Sequence, residues 1–103
     1  MPMPPSRDHR IPLEAAAALT RRFRKTEPAA IRAGMFPRAV FEKLLAQAGC
    51  AGIRIYNGRE VDGKSTLVLV GVDADGDDMT TGELAEFQFP CPPFCGPGSV
   101  LDG

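Results

Sequence analysis

The chain has 103 residues and carries 12 lysines and arginines against 13 aspartates and glutamates, which leaves a formal net charge of −1 at pH 7. A chain of this length forms one small domain with a thin core. Its near-neutral charge lacks the basic surface with which proteins bind nucleic acid or anionic membranes, so we expect neither partner. Its apolar runs are also shorter than the roughly 18 residues of a membrane span.

The N-terminus, residues 1–10, is predicted to be a flexible tail because it contains three prolines and few apolar side chains. It also lacks the apolar stretch of a secretory signal. We therefore expect a cytoplasmic protein. In that reducing compartment, an odd number of cysteines, here three, does not require a disulfide.

Two helices are predicted next. The first covers residues 12–25, where a proline and a glutamate suit the first turn and basic side chains suit the last. The second covers residues 37–48, because apolar side chains recur there at helical spacing and Gly49 follows as a natural stop. Between them, residues 29–35 favour a further helical turn or two.

The sequence beyond the second helix alternates with a period of two, which is typical of strands. Strands are predicted over residues 53–56 and 66–72, joined by a turn at Asp62 and Gly63. A third strand is predicted over residues 84–89, where apolar side chains share one face. These three strands form an antiparallel meander.

This order predicts an α+β fold, with two N-terminal helices packed on one face of a three-stranded antiparallel meander. We assign residues 11–90 to this single domain and residues 91–103 to an irregular tail rich in proline, glycine and cysteine. The middle strand is apolar on both faces over residues 67–72, so something must cover its second face. One candidate is a second copy of the chain, which would make a homodimer through the sheet. The other is the set of apolar residues in the tail, namely Phe94, Val100 and Leu101.

The candidate functional residues are Cys91 and Cys95, which lie in the segment 89–98 together with four prolines and two glycines. Such a segment is stiff and irregular, so we expect it to display both thiols at the edge of the sheet. Four interpretations stay open. The tail caps the sheet with inert thiols, the pair oxidises reversibly, the pair binds a metal or haem, or the tail docks on a partner protein or is modified by a partner enzyme.

The residue types limit the redox and metal interpretations. Three residues separate Cys91 from Cys95, one more than in the Cys-x-x-Cys motif of thioredoxin-like enzymes. A zinc site needs three or four ligands, and the other cysteine and histidine of the chain are Cys50, expected in the core, and His9 in the tail. The dipeptide Cys91-Pro92 matches a loose haem-binding pattern. We therefore assign no cofactor.

Two other polar features carry weaker predictions. The acidic run 73–78 begins like a calcium loop, but Asp78 stands where that loop needs glycine and Leu84 where it needs glutamate. We expect a solvated turn there and leave weak cation binding open. Arg54 and Tyr56 share a strand face and form either a polar outer surface or a surface for a small molecule.

Three segments, Gly52–Tyr56, Leu67–Ala74 and Cys91–Cys95, resemble segments of a group of small bacterial proteins whose activity is uncharacterised. The resemblance covers the chain from about residue 30 to the C-terminus. It implies a soluble bacterial protein, and it brings no activity, cofactor or site residue with it.

Together these patterns predict a soluble, non-enzymatic interaction or accessory module whose candidate site is the pair Cys91 and Cys95. No catalytic residue is predicted, because the chain lacks a phosphate-binding loop and its single histidine lies in the N-terminal tail. The alternative from the enzyme class is a thiol redox protein that uses the same two cysteines.

Overall fold

The computed structural model describes residues 2–102 and has an α+β architecture. Met1 and Gly103, which the two predicted tails include, lie outside the described residues. Within the described range the chain forms two helices and five strands: α1 (Leu13–Thr26), β1 (Ala33–Met35), α2 (Arg38–Leu45), β2 (Cys50–Arg59), β3 (Ser65–Asp73), β4 (Leu84–Ala85) and β5 (Phe89–Cys91). In this range neither helix is long and apolar enough to cross a membrane.

Both predicted helices are present, and each begins after a proline. Pro12 and Pro37 take extended conformations at the N-caps of α1 and α2, where the missing N–H is not needed. The second helix ends at Leu45, three residues before the predicted end. The side-chain amide of Gln47 donates to Leu44 O at 2.8 Å and caps the last turn, and Gly49 then turns the chain with a φ of 83°.

The central hairpin is confirmed. β2 and β3 pair antiparallel from Cys50 opposite Asp73 to Arg59 opposite Ser65, and Gly63 occupies the turn with a φ of 92°. β4 adds to the other side of β3, so the order of the three-stranded sheet is β2-β3-β4. β2 is therefore an edge strand of ten residues.

The third strand departs from the prediction. The expected strand over residues 84–89 pairs with β3 only at its first two residues, Leu84 and Ala85. Phe87 takes a φ of 59°, in the left-handed region, which ends the extended run. The chain then leaves the sheet, and Phe89–Cys91 forms β5 in a different one.

The expected helical turn over residues 29–35 is wrong. Its second half forms β1, which pairs antiparallel with β5 so that Ala33 lies opposite Cys91 and Met35 opposite Phe89. Gly34 permits this pairing, because a Cβ at that position would lie 1.7 Å from the side-chain oxygen of Gln88. Cys91, the first residue of the predicted irregular tail, is consequently the last residue of a strand.

The helices differ in how they meet the three-stranded sheet. α2 packs against β2 and β3 and buries Leu44. In α1, Phe23 faces the turn end of the hairpin across an open groove of about 320 Å³ that Asn57 and Leu67 also line. The packing expected of both helices is therefore established for α2 only.

The middle strand is buried on both faces. Leu69 and Val70, which point to opposite faces of β3, are 1% and 2% exposed. The tail residues expected to cover the second face do not do so, since Phe94, Val100 and Leu101 are 42–58% exposed. On β2, a Cβ added at Gly52 would lie 3.6 Å from Cε of Met3, so the N-terminal tail contacts this strand. Neither face of β3 therefore needs a second copy, and the homodimer stays a prediction.

This core makes a stability test at Leu69 direct. We expect Leu69→Ala to lower the free energy of unfolding by about 2–5 kcal/mol, because the cavity cannot collapse at the centre of a sheet covered on both faces. Urea denaturation measures the change. Leu13→Ala on α1, where the side chain is 59% exposed, is the control and should change stability by less than about 0.5 kcal/mol. Equal effects at the two positions would contradict this description of the core.

Candidate functional site

The two candidate cysteines form a disulfide at the end of β5. Cys91 and Cys95 have their Cα atoms 4.9 Å apart. Cys91 is only 4% exposed, whereas Cys95 is half-buried. The expectation that the tail displays both thiols is therefore wrong for Cys91, because its pairing in β5 buries it. Cys50 is a free cysteine.

The residues between the two cysteines form a compact loop, which we call the disulfide loop (residues 91–95). Phe94 N donates to Pro90 O at 2.8 Å, and Cys95 N donates to Pro93 O at 3.0 Å. The peptide bonds before Pro92 and Pro93 are cis. The ring of Phe94 meets the ring of Phe89 edge to face, with centroids 5.3 Å apart. The loop thus holds one aromatic side chain against β5.

An ion pair lies across the disulfide. Arg32 Nε donates to Asp102 Oδ1, and each side chain is 28% exposed. The backbone N–H of Arg32 donates to Cys91 O at 2.8 Å, which fixes Arg32 beside β5. Arg24 Nη1 donates to Leu101 O at 2.7 Å. The last described residues are therefore held against β1 and α1.

The two charges of this pair face different sulfurs. Asp102 Oδ1 lies 3.5 Å from Cys91 Sγ, and Arg32 Nη2 lies 4.0 Å from Cys95 Sγ. The hydrogen bond from Arg32 holds the pKa of Asp102 below its ordinary value of 3.8. The aspartate is therefore ionised at neutral pH. Its carboxylate lies 3.5 Å from Cys91 Sγ and within 4.8 Å of Cys95 Sγ, and the guanidinium of Arg32 approaches Cys95 Sγ.

Sequence reasoning missed Arg32 and Asp102. They are 70 residues apart, and no motif or periodicity connects them. The pairing of β1 with β5 brings them together, and that pairing was itself not predicted. The one signal for Asp102 was that it lies in the same tail as the two cysteines.

The same groups limit the metal interpretation. Cys91, Cys95 and Asp102 lie close enough together to offer three ligand atoms, but disulfide sulfurs are not thiolates. After reduction, Arg32 would still neutralise the carboxylate that a cation needs. Cys50 donates to Gly52 O at 3.2 Å and does not join this cluster. The arrangement suits an ion pair better than a metal centre, and metal or haem binding stays a prediction.

Arg54 and Tyr56 lie on one face of β2, as predicted, and share a partner. Both side chains donate to the carboxylate of Asp78. Arg54 also donates to Gly76 O at 3.3 Å. The cluster ties the acidic turn to the sheet, so the polar outer surface is the interpretation that these contacts favour over a small-molecule surface.

The acidic turn has an internal order of its own. Asp73 Oδ1 accepts hydrogen bonds from the backbone N–H groups of Asp75 and Asp77 at 2.9 and 3.0 Å. An aspartate that accepts bonds from its own turn is common in tight turns. This agrees with the predicted solvated turn, and weak cation binding at residues 73–78 stays a prediction.

We compared the chain with protein-family models, with curated proteins and with solved structures, and found no match in any of the three. The resemblance to small bacterial proteins therefore stays an expectation.

The cluster on β2 predicts the titration of Tyr56. The hydrogen bond to Asp78 raises the pKa of Tyr56 above its ordinary value of 10.0. The hydrogen bond between Tyr56 and Asp78 therefore stabilises the fold fully below pH 10.0, and this stabilisation is lost as the pH rises through the raised pKa of Tyr56. We expect Asp78→Asn to lower the pKa of Tyr56, because the neutral amide is a weaker acceptor.

Phenolate absorbance measures this titration without interference, because the chain has one tyrosine and no tryptophan. Asp75→Asn changes the charge of the same turn at an exposed position and should leave the titration nearly unchanged. A tyrosine titration identical in wild type and Asp78→Asn would contradict the described contact.

The ion pair at the disulfide predicts an acid dependence. The lowered pKa of Asp102 means that its contribution to stability is complete above pH 3.8 and is lost as the pH falls through the lowered value. We expect wild type to be more stable than Asp102→Asn at neutral pH, and the difference in melting temperature to shrink in strong acid. A difference that is constant across the whole pH range would show that the ion pair does not stabilise the fold.

Proposed function

We propose that this protein is a non-enzymatic interaction or accessory module that acts through its C-terminal segment (residues 89–102), and that the disulfide controls the conformation of this segment. The observation that carries the proposal is the Cys91–Cys95 disulfide beside the Arg32–Asp102 ion pair. Opening the disulfide removes the one covalent cross-link within residues 89–102 and does not itself break the Arg32–Asp102 ion pair.

The short loop argues against a purely structural disulfide. A disulfide stabilises a fold mainly by limiting the unfolded chain, and this effect grows with loop length. For the short loop closed by Cys91 and Cys95, the expected stabilisation of the folded state is about 2 kcal/mol. A loop of about 15 residues would give about 3 kcal/mol. The bond also joins positions that the hydrogen bond from Phe94 N to Pro90 O already holds together. The disulfide therefore stabilises the fold little beyond its own loop, which suits a reversible conformational switch better than a structural cross-link.

The apolar surface of the segment supports a protein partner. Phe89 and Phe94 are 41% and 58% exposed, and Val100 and Leu101 are exposed as well. Aromatic side chains, phenylalanine included, are enriched in the cores of protein interfaces. Opening the disulfide would leave Phe94 held against β5 only by its backbone hydrogen bond to Pro90 O and its ring contact with Phe89, so its side chain would become more mobile. The oxidised and reduced forms would then present different surfaces to the partner.

The compartment is consistent with a reversible bond. In a cytoplasmic protein, as the sequence predicts, disulfides are transient and are used for catalysis or redox sensing. The pair would then be a dithiol at rest and a disulfide after oxidation. A partner enzyme that modifies a cysteine of the tail would need the reduced form, and Cys95 is the more exposed of the two in the disulfide form.

A thiol redox protein is the second candidate. The half-buried position of Cys95 favours it, because exchange needs access to one sulfur. The two candidates differ in turnover. A redox enzyme reduces a disulfide substrate many times per molecule when a reductant is supplied, whereas a switch reacts once.

The proposed switch predicts a reversible mass change. Mild oxidation of the reduced protein should remove two hydrogen atoms, and peptide mapping should place the new bond at Cys91–Cys95. Cys50 should remain open to alkylation in both forms. Intact mass and thiol titration measure this, and Cys91→Ser is the control that should lose the change.

The same samples test the conformational part of the proposal. Amide hydrogen exchange should be faster in residues 89–102 of the reduced form, because the segment loses its covalent link. Exchange in β3 should be equal in the two forms. Equal protection of the C-terminal segment in both forms would overturn the proposed function.

A further inference from the structure

We infer that the two sulfurs of the pair have different roles: Cys95 exchanges with low-molecular-weight thiols and disulfides, and Cys91 resolves the mixed disulfide, with Arg32 and Asp102 as positioning residues. This inference rests on the proposed function. It names the partner chemistry of the same site and assigns a direction to the exchange.

Access distinguishes the two sulfurs. Thiol–disulfide exchange requires the incoming sulfur to approach the attacked sulfur directly. Cys91 is 4% exposed and is enclosed by the pairing of β5 with β1. Cys95 is half-buried and follows an exposed loop. An external thiol or disulfide therefore reaches Cys95 first.

The neighbouring charges also favour Cys95 as the sulfur that attacks first. In the reduced protein, the guanidinium of Arg32, 4.0 Å from Cys95 Sγ, favours the thiolate of that residue. The carboxylate of Asp102, 3.5 Å from Cys91 Sγ, favours the protonated thiol there, because a thiol can donate to a carboxylate and a thiolate is repelled by it. The more exposed sulfur is therefore also the better nucleophile.

The ion pair holds Arg32 and Asp102 in place beside the two sulfurs. Arg32 is fixed by its backbone bond to Cys91 O, and Asp102 is fixed by Arg32. Arg32 lies 4.0 Å from Cys95 Sγ and Asp102 lies 3.5 Å from Cys91 Sγ, and the two charged groups are bonded to each other. The carboxylate of Asp102 also lies within 4.8 Å of Cys95 Sγ, so Arg32 must offset it there. Loss of either charge changes the position of the other.

The chemical steps balance as follows. The Cys95 thiolate attacks a low-molecular-weight disulfide, forming a mixed disulfide and releasing one small thiolate. The Cys91 thiol then loses its proton to solvent, and the resulting thiolate attacks Cys95 Sγ. The Cys91–Cys95 bond forms and the second small thiolate leaves. The protein pair loses two electrons, and the small disulfide gains them.

Single-thiol variants test the assignment, and oxidised glutathione is the probe. In a Cys50→Ala background, Cys91→Ser leaves only Cys95, and Cys95→Ser leaves only Cys91. We expect the mixed disulfide to form at least about tenfold faster on Cys95 than on Cys91 in the folded protein. In denaturant the two rates should become similar, because burial and neighbouring charges are lost. Equal rates in the folded protein, or a faster Cys91, would overturn the inference.

The role of Arg32 has its own measurement. In the chain that retains only Cys95, Arg32→Gln should slow the reaction about three- to tenfold at neutral pH and move the pH–rate profile to higher pH. Arg32→Lys should restore part of the rate, because it retains the charge. Arg38→Gln is the matched control, since Arg38 pairs with Glu42 on α2. An unchanged profile in Arg32→Gln would refute the positioning role.

The wild-type chain gives a test that does not depend on how the variants fold. The reduced protein is mixed with oxidised glutathione and quenched with acid, and peptide mapping locates the trapped adduct. An adduct on Cys95 supports the inference, and an adduct mainly on Cys91 overturns it. The proposed function fails separately, namely when residues 89–102 show the same hydrogen exchange before and after the disulfide forms.

Discussion

The pairing of β1 with β5 is the constraint on which the candidate site depends. It joins a strand that precedes α2 to a strand that follows the three-stranded sheet. Gly34 makes it possible, because the Gln88 side chain fills the space of a Cβ at that position. The pairing buries Cys91 and places Arg32 beside it. The burial of Cys91 and the position of Arg32 at the disulfide both depend on this pairing.

The thin core explains why the site lies at the periphery. The buried apolar side chains centre on β3 and α2, around Leu44, Leu69 and Val70. A core of this size leaves little room for an enclosed active site. The groove between α1 and the hairpin is open. The candidate site accordingly lies on the small second sheet and on the residues that follow it.

The sequence was sufficient for the local elements of the fold. The β2–β3 hairpin was predicted because its signals, alternating side chains and the turn at Gly63, are adjacent in the chain. The two helices were predicted from periodicity and from Pro12 and Pro37. The strands β1 and β5 were missed because each is three residues long and has a partner far along the chain. Periodicity cannot show a pairing of that kind.

The candidate site shows the same contrast between features visible in neighbouring residues and features that depend on distant pairings. Cys91 and Cys95 were identified because their residue type and spacing are visible in the sequence. Arg54 and Tyr56 were placed correctly on one face of β2, because side chains alternate along a strand. Asp78, Arg32 and Asp102 were not assigned to either cluster, because they reach their partners only through the turn and the second sheet. The sequence thus identified the two candidate cysteines and missed the charged side chains that lie beside them.

The edge position of β2 has a further consequence for how copies of the chain avoid each other. The outer edge of a ten-residue edge strand offers a row of backbone groups to any other strand in solution, which is a common origin of aggregation. Arg54 and Arg59 lie on this strand, and each side chain bonds to a backbone carbonyl, Gly76 O and Gly63 O respectively. Charged side chains held in place along an edge oppose the addition of a further strand. Arg54 and Arg59 therefore make this edge a poor template for a further strand.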